Sequence, residues 1–144
     1  MRTAVTRTDD STTMLPTDRR SLPTATLVQA LYFLATGLWS ILHLRSFMLV
    51  TGPKRDRWLV RTFGALVAAI GGSILASGDQ PRAAARFGIV SAVVIAVAEG
   101  VYVARRRIRA VYLADAVLEL VFAFGAARAL MDRRASGSES TRWI

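Results

Sequence analysis

Residues 99–119 read EGVYVARRRIRAVYLADAVLE, with Arg105, Arg106, Arg107 and Arg109 set between an apolar segment carrying Glu99 and another carrying Asp115 and Glu119. No residue from 104 to 109 breaks a helix by type, so local propensity allows one continuous rod. A helix from 83 to 131 would be roughly 70 Å long at ~1.5 Å per residue, against a bilayer hydrocarbon core of ~30 Å. It would also bury four neighbouring arginines in lipid, where charge is expensive. Length and charge therefore predict a hairpin, with helices over about 83–103 and 110–131.

Upstream, residues 24–47 run TATLVQALYFLATGLWSILHLRSF and are uncharged as far as Leu42, long enough for a first helix to nearly cross a membrane. Gln29, Tyr32, Thr36, Ser40 and His43 recur at spacings of three and four, which puts them on one face pointing into protein. A Gly52-Pro53 stop within a charged cluster (Lys54, Arg55, Asp56, Arg57) marks a surface turn. A second helix follows over 58–77, with Trp58 as an interfacial anchor. In it Gly64, Ala68, Gly71 and Gly72 form a stripe of small residues that lets helix backbones approach closely. Pro81 is well placed to begin the third helix after the turn at 77–82.

The composition agrees. The chain has 144 residues, 53% hydrophobic, with net charge +9 and no cysteine, and a mean hydropathy of +0.37. That is too apolar for a small soluble domain. The fold expected is an all-α membrane protein, a four-transmembrane-helix up-down bundle in one domain over 24–131. Residues 1–23 read as a disordered or surface tail without a signal-peptide core, with Met14 an alternative start, and 132–144 as a polar tail. Arginine in large excess over the single Lys54 fits a GC-rich bacterial genome. Basic residues on such a chain mark the cytoplasmic membrane surface rather than nucleic acid.

Lys54, Arg55, Arg57, Arg105, Arg106, Arg107 and Arg109 fall on one side of this bundle, and Arg19, Arg20, Arg82, Arg133 and Arg134 on the other. The larger group sets the turns in the cytoplasm of an inner (plasma) membrane and both termini outside. The same residues read first as a topology signal and second as a binding surface for anionic lipid.

Counting depth from the basic turns brings His43, Arg45, Arg61, Glu99, Asp115 and Glu119 into one half of the bilayer. Tyr112, Asp115, Glu119 and Phe122 share a face of the last helix, as Ser91, Ile95, Glu99 and Tyr102 do on the third. Asp115 and Glu119 facing lipid as ions would cost of order 5–7 kcal/mol, while each apolar neighbour returns only ~0.3–0.6 kcal/mol. An inward polar site of His43, Arg61, Glu99, Tyr102, Tyr112, Asp115 and Glu119 follows. Arg45 and Arg61 do not fully offset the three acids, so neutrality requires a proton on a carboxyl or on His43. The site reads either as an ion-pair network that fixes helix register or as a functional site.

No metal or other cofactor is expected, because one histidine without cysteine is a poor ligand set. Phosphate loops, HExxH, nucleophile elbows and CxxC are all missing from the sequence, which removes the enzymes that short motifs mark. The leading expectation is a membrane binding or accessory protein for a lipid headgroup or small molecule, homo-oligomeric or part of a larger assembly. A proton-coupled transporter or channel using the carboxyls comes second, and a lipid- or isoprenoid-modifying enzyme third. Val50-Thr51-Gly52-Pro53-Lys54, followed by Trp58-Leu59-Val60-Arg61-Thr62 and Gly64, resembles a turn-and-helix pattern of small uncharacterised four-helix bacterial membrane proteins. That resemblance implies a four-helix membrane fold and carries no activity with it.

Overall fold

The computed structural model describes residues 21–139; most of the N-terminal tail and residues 140–144 of the C-terminal tail lie outside the described residues. Among the described residues the chain is helical and has no strand: α1 (Thr24–Leu42), α2 (Leu44–Thr51), α3 (Arg57–Ala76), α4 (Pro81–Ala104) and α5 (Tyr112–Glu139). Helix α5 runs on past residue 131, where the sequence predicts a polar tail to begin.

The hairpin at the arginines is present, and its geometry is specific. Arg106 adopts a positive φ of 55°. The Arg106 N–H donates to the carbonyl of Val103 (2.8 Å) and the Arg107 N–H to that of Tyr102 (2.9 Å). This pair of bonds is the Schellman closure of a helix C-terminus, with arginine at the left-handed position where glycine is usual. The reversal is thus written in backbone bonding, without the glycine that normally announces it.

The single helix predicted over 24–47 is broken at His43, whose φ of −125° and ψ of 51° leave the helical region. No glycine or proline causes the break. Side chains brace it instead: the Trp39 indole N–H donates to Ser46 Oγ (2.8 Å), and its ring meets Phe47 edge-on at 5.5 Å. Helix α2 then ends at Gly52, whose φ of 94° and ψ of 159° only glycine adopts easily.

Helix α1 is the hub, packing against α3, α4 and α5. Its approach to α3 is backbone on backbone. A Cβ added at Gly37 would lie 2.5 Å from the Gly64 carbonyl oxygen, and one at Gly71 2.5 Å from that of Ala30. Ala68 faces Gly37 in the same seam. Gly72 departs from the expected stripe: it faces open space, because the turn from Gly71 to Gly72 rotates it off the α1 face. Elsewhere Gly88 of α4 lies against the Gln29 amide and Gly125 of α5 against Ala25. Arg133 donates to the Ser21 carbonyl at 2.9 Å, tying α5 to the start of α1.

Large apolar side chains point out and small ones in. Val94, Val117 and Phe124 are mostly exposed, while Ala30, Ala85, Ala92 and Ala126 are fully buried. Small interior residues under a large apolar exterior are what packing within lipid favours. Helices α1, α3 and α4 are each long and apolar enough to cross a membrane, consistent with a membrane protein. Helix α5 is long enough but more polar, since Asp115, Glu119 and Arg128 fall within its apolar stretch.

Candidate functional site

The half of the bundle next to the basic turns is hollow. A cavity of about 310 Å³ opens between α1, α3, α4 and α5, with α2 at its edge. Tyr32, Glu99, Tyr112, Asp115 and Glu119 line it among apolar walls. Its floor is aromatic: the Tyr32 ring meets Phe122 at 5.7 Å and lies 6.5 Å from that of Phe33.

Three helices deliver the acids and their donor to one place. Helical spacing puts Asp115 and Glu119 one turn apart on the inward face of α5, and α4 brings Glu99 opposite them. The Tyr32 hydroxyl, from α1, donates to Asp115 Oδ1. Glu99 lines the same chamber as Asp115 and Glu119. Glu119 is 1% exposed, and its Oε2, like Oε2 of Glu99, is buried without a hydrogen-bond partner.

Of the residues expected to meet here, Glu99, Tyr112, Asp115 and Glu119 do. His43, Arg61 and Tyr102 do not line the chamber, and all three are exposed. Arg61, expected to pair with the acids, therefore stands apart from them, and the ionisable side chains that share the chamber with Glu99 and Glu119 are Asp115 and two tyrosines. The reason is rotational. His43 sits at the break in α1, which releases it from the inward face, and α3 presents Gly64 and Val67 to the chamber, so Arg61 turns outward. Arg45 likewise lies outside, on a shallow groove with Arg109.

Tyr32 and Thr36 join the site from α1. The signal for them was their place on the polar stripe with Gln29 and Ser40, one helical turn from residues whose depth matches the acids. The remainder of that stripe packs: Gln29 donates to the Gly88 carbonyl at 2.8 Å, and Ser40 to that of Gly37 at 2.8 Å.

The two basic turns touch at the rim. The Arg109 stem covers Gly52, so that a Cβ there would lie 2.5 Å from Arg109 Cδ. The Lys54 ammonium sits 4.9 Å from the centre of the Tyr112 ring, a cation–π contact. Arg109 and Lys54 thus make contacts in addition to any topogenic role, although Arg109, like Arg55, Arg57, Arg105, Arg106 and Arg107, is exposed.

Chemically, the chamber holds hydrogen-bond acceptors in an apolar setting. No group of three or more His, Cys, Asp or Glu side chains among the described residues is arranged to hold a metal ion. Comparison with protein-family models, curated proteins and solved structures returns no match for the chain.

Proposed function

We propose that this is a small integral membrane protein whose four long helices all cross the bilayer and whose acid-lined chamber binds a small molecule. The fourth crossing is supported by side-chain order on α5. Val117, Leu120, Val121 and Phe124 are exposed on its outer surface while Glu119 is buried, the arrangement expected with lipid outside. The basic turns then lie at the cytoplasmic surface against anionic headgroups, with the termini on the far side. A phosphatase reporter fused at the C-terminus and active outside the membrane supports that orientation; one active only in the cytoplasm reverses it.

The observation that carries the binding reading is Glu119. A buried carboxyl oxygen without a donor is costly, and in a lining position beside empty volume the missing donor is one a ligand can bring. An anionic headgroup is a poor occupant of a chamber lined by three acids, so lipid contact belongs to the turns. The test is native mass spectrometry of the protein released from its own membranes. A bound small molecule is expected on the parent and lost from Thr36→Phe, which fills the chamber. Identical bound masses on both proteins exclude the chamber as the binding site.

Proton-coupled transport is the second reading, favoured by the three carboxyls that share one largely apolar chamber. It predicts pH-driven flux in proteoliposomes that Glu99→Gln abolishes while the fold survives. Absence of flux in the parent removes it.

A further inference from the structure

The chamber's chemistry specifies its occupant more closely than size does. Its titratable groups are Tyr32 from α1, Glu99 from α4, and Tyr112, Asp115 and Glu119 from α5; α2 and α3 contribute none to the described lining. One cation approaches, the Lys54 ammonium, and it is engaged at the rim over Tyr112. The Tyr32 hydroxyl is used by Asp115. What remains are two carboxyl oxygens, Oε2 of Glu99 and of Glu119, buried without donors. Missing donors, on carboxyls that can ionise when a compensating charge arrives, call for a positively charged guest.

Three alternatives fit less well. A metal ion needs convergent ligands, and no such set is present among the described residues. An anion would meet the acids directly. A neutral apolar guest would fill the volume but leave both oxygens unsatisfied. Apolar walls with aromatic faces suit the body of an organic cation, whose charge is stabilised by ring quadrupoles.

Resting on the reading of the chamber as a binding site, we infer that it takes a monovalent organic cation with an apolar body, a protonated amine whose N–H groups donate to the unpartnered carboxyl oxygens, and releases one proton in exchange. The empty chamber stays near neutrality through protons on its carboxyls, because several bare charges in a low-dielectric cavity are prohibitively costly. When the cation enters, one carboxyl O–H bond breaks, the electron pair stays on oxygen and the proton leaves to water. The chamber's total charge is unchanged.

The experiment is calorimetric titration of the full-length protein in detergent with benzylammonium and with its uncharged carbon isostere, ethylbenzene. Each titration is run at neutral pH in two buffers of different protonation enthalpy, which counts protons released. The cation is expected to bind at least about tenfold more tightly than the isostere, as a charge-assisted contact implies, and to release close to one proton. Glu119→Gln should weaken cation binding about tenfold and leave the isostere unaffected. If Glu119→Gln does not fold, the proton count on the parent decides. Equal affinity for both probes, or cation binding without proton release, overturns the cation inference while the binding reading stands. Failure of both probes to bind also overturns it, and the Thr36→Phe mass comparison then judges the broader reading separately.

Discussion

The two halves of the bundle share one kind of exterior and have opposite interiors. Towards the chain's ends, Ala25, Ala30, Gly71, Ala85, Gly88 and Ala126 let four backbones close on one another, and the polar Gln29 is held by a backbone carbonyl. Towards the basic turns, Tyr32, Phe33 and Phe122 form a floor above which the helices enclose empty volume and three acids. Large apolar side chains are exposed on both. The α1–α3 seam at Gly37 and Gly64 runs on into the second half, so what separates the halves is what α4 and α5 set against it: Ala85, Gly88 and Ala126 close one end, while Glu99, Asp115 and Glu119 face open volume at the other. One half builds the protein and the other is available for use.

Substitution tests this division most severely at Gly71. Gly71→Val drives a side chain into the α1 backbone, which cannot yield, and should destabilise by about 3 kcal/mol or more, seen as a lower thermal midpoint in detergent or loss of folded protein. Its neighbour is the control. Gly72→Ala meets nothing within 4 Å and should be tolerated; equal damage at both positions would mean that the seam is not where we place it.

Enlargement in each half sharpens the contrast. Ala85→Leu, in the closed half, should cost about 2 kcal/mol, whereas Thr36→Leu, facing the chamber, should cost under about 1 kcal/mol. A chamber that resisted Leu as strongly as the seam would not be a usable space. At the rim, Gly52→Ala should destabilise by about 1–2 kcal/mol through backbone strain at its positive φ, with the Arg109 stem moving aside. The smallest effect is expected for Lys54→Gln, about 0.5–1 kcal/mol from the lost contact with Tyr112. A larger loss there would show the latch between the turns to hold more of the fold than its single ring contact implies.

Much of the architecture is legible in the residues themselves. Pro81 opens α4 as expected, and bilayer length alone demands the hairpin at Arg105–Arg109, which helix propensity would have missed. The inward faces of α4 and α5 were also readable, because Glu99, Asp115 and Glu119 cannot comfortably face lipid. Three features were hidden for physical reasons. The break at His43 depends on Trp39 reaching Ser46 and Phe47, a tertiary brace with no local signature. The expectation that Arg61 faces the acids fails because, one turn from the start of α3, its side chain is exposed while Gly64 and Val67 take the inward positions. Gly72 shows that a stripe of small residues is wider than the contact it serves.

The contact between Tyr32 and Asp115 joins positions 83 residues apart. Under the proposed topology this sets a schedule for biosynthesis. At ~5–20 residues per second, α1 exists for roughly 4–17 s before the partner for its tyrosine has been made. Helix α5, the last to emerge, is also the one whose acids make it a poor entrant into lipid by itself. It must be admitted by helices already resident, with Tyr32 waiting exposed to the interior of an unfinished bundle.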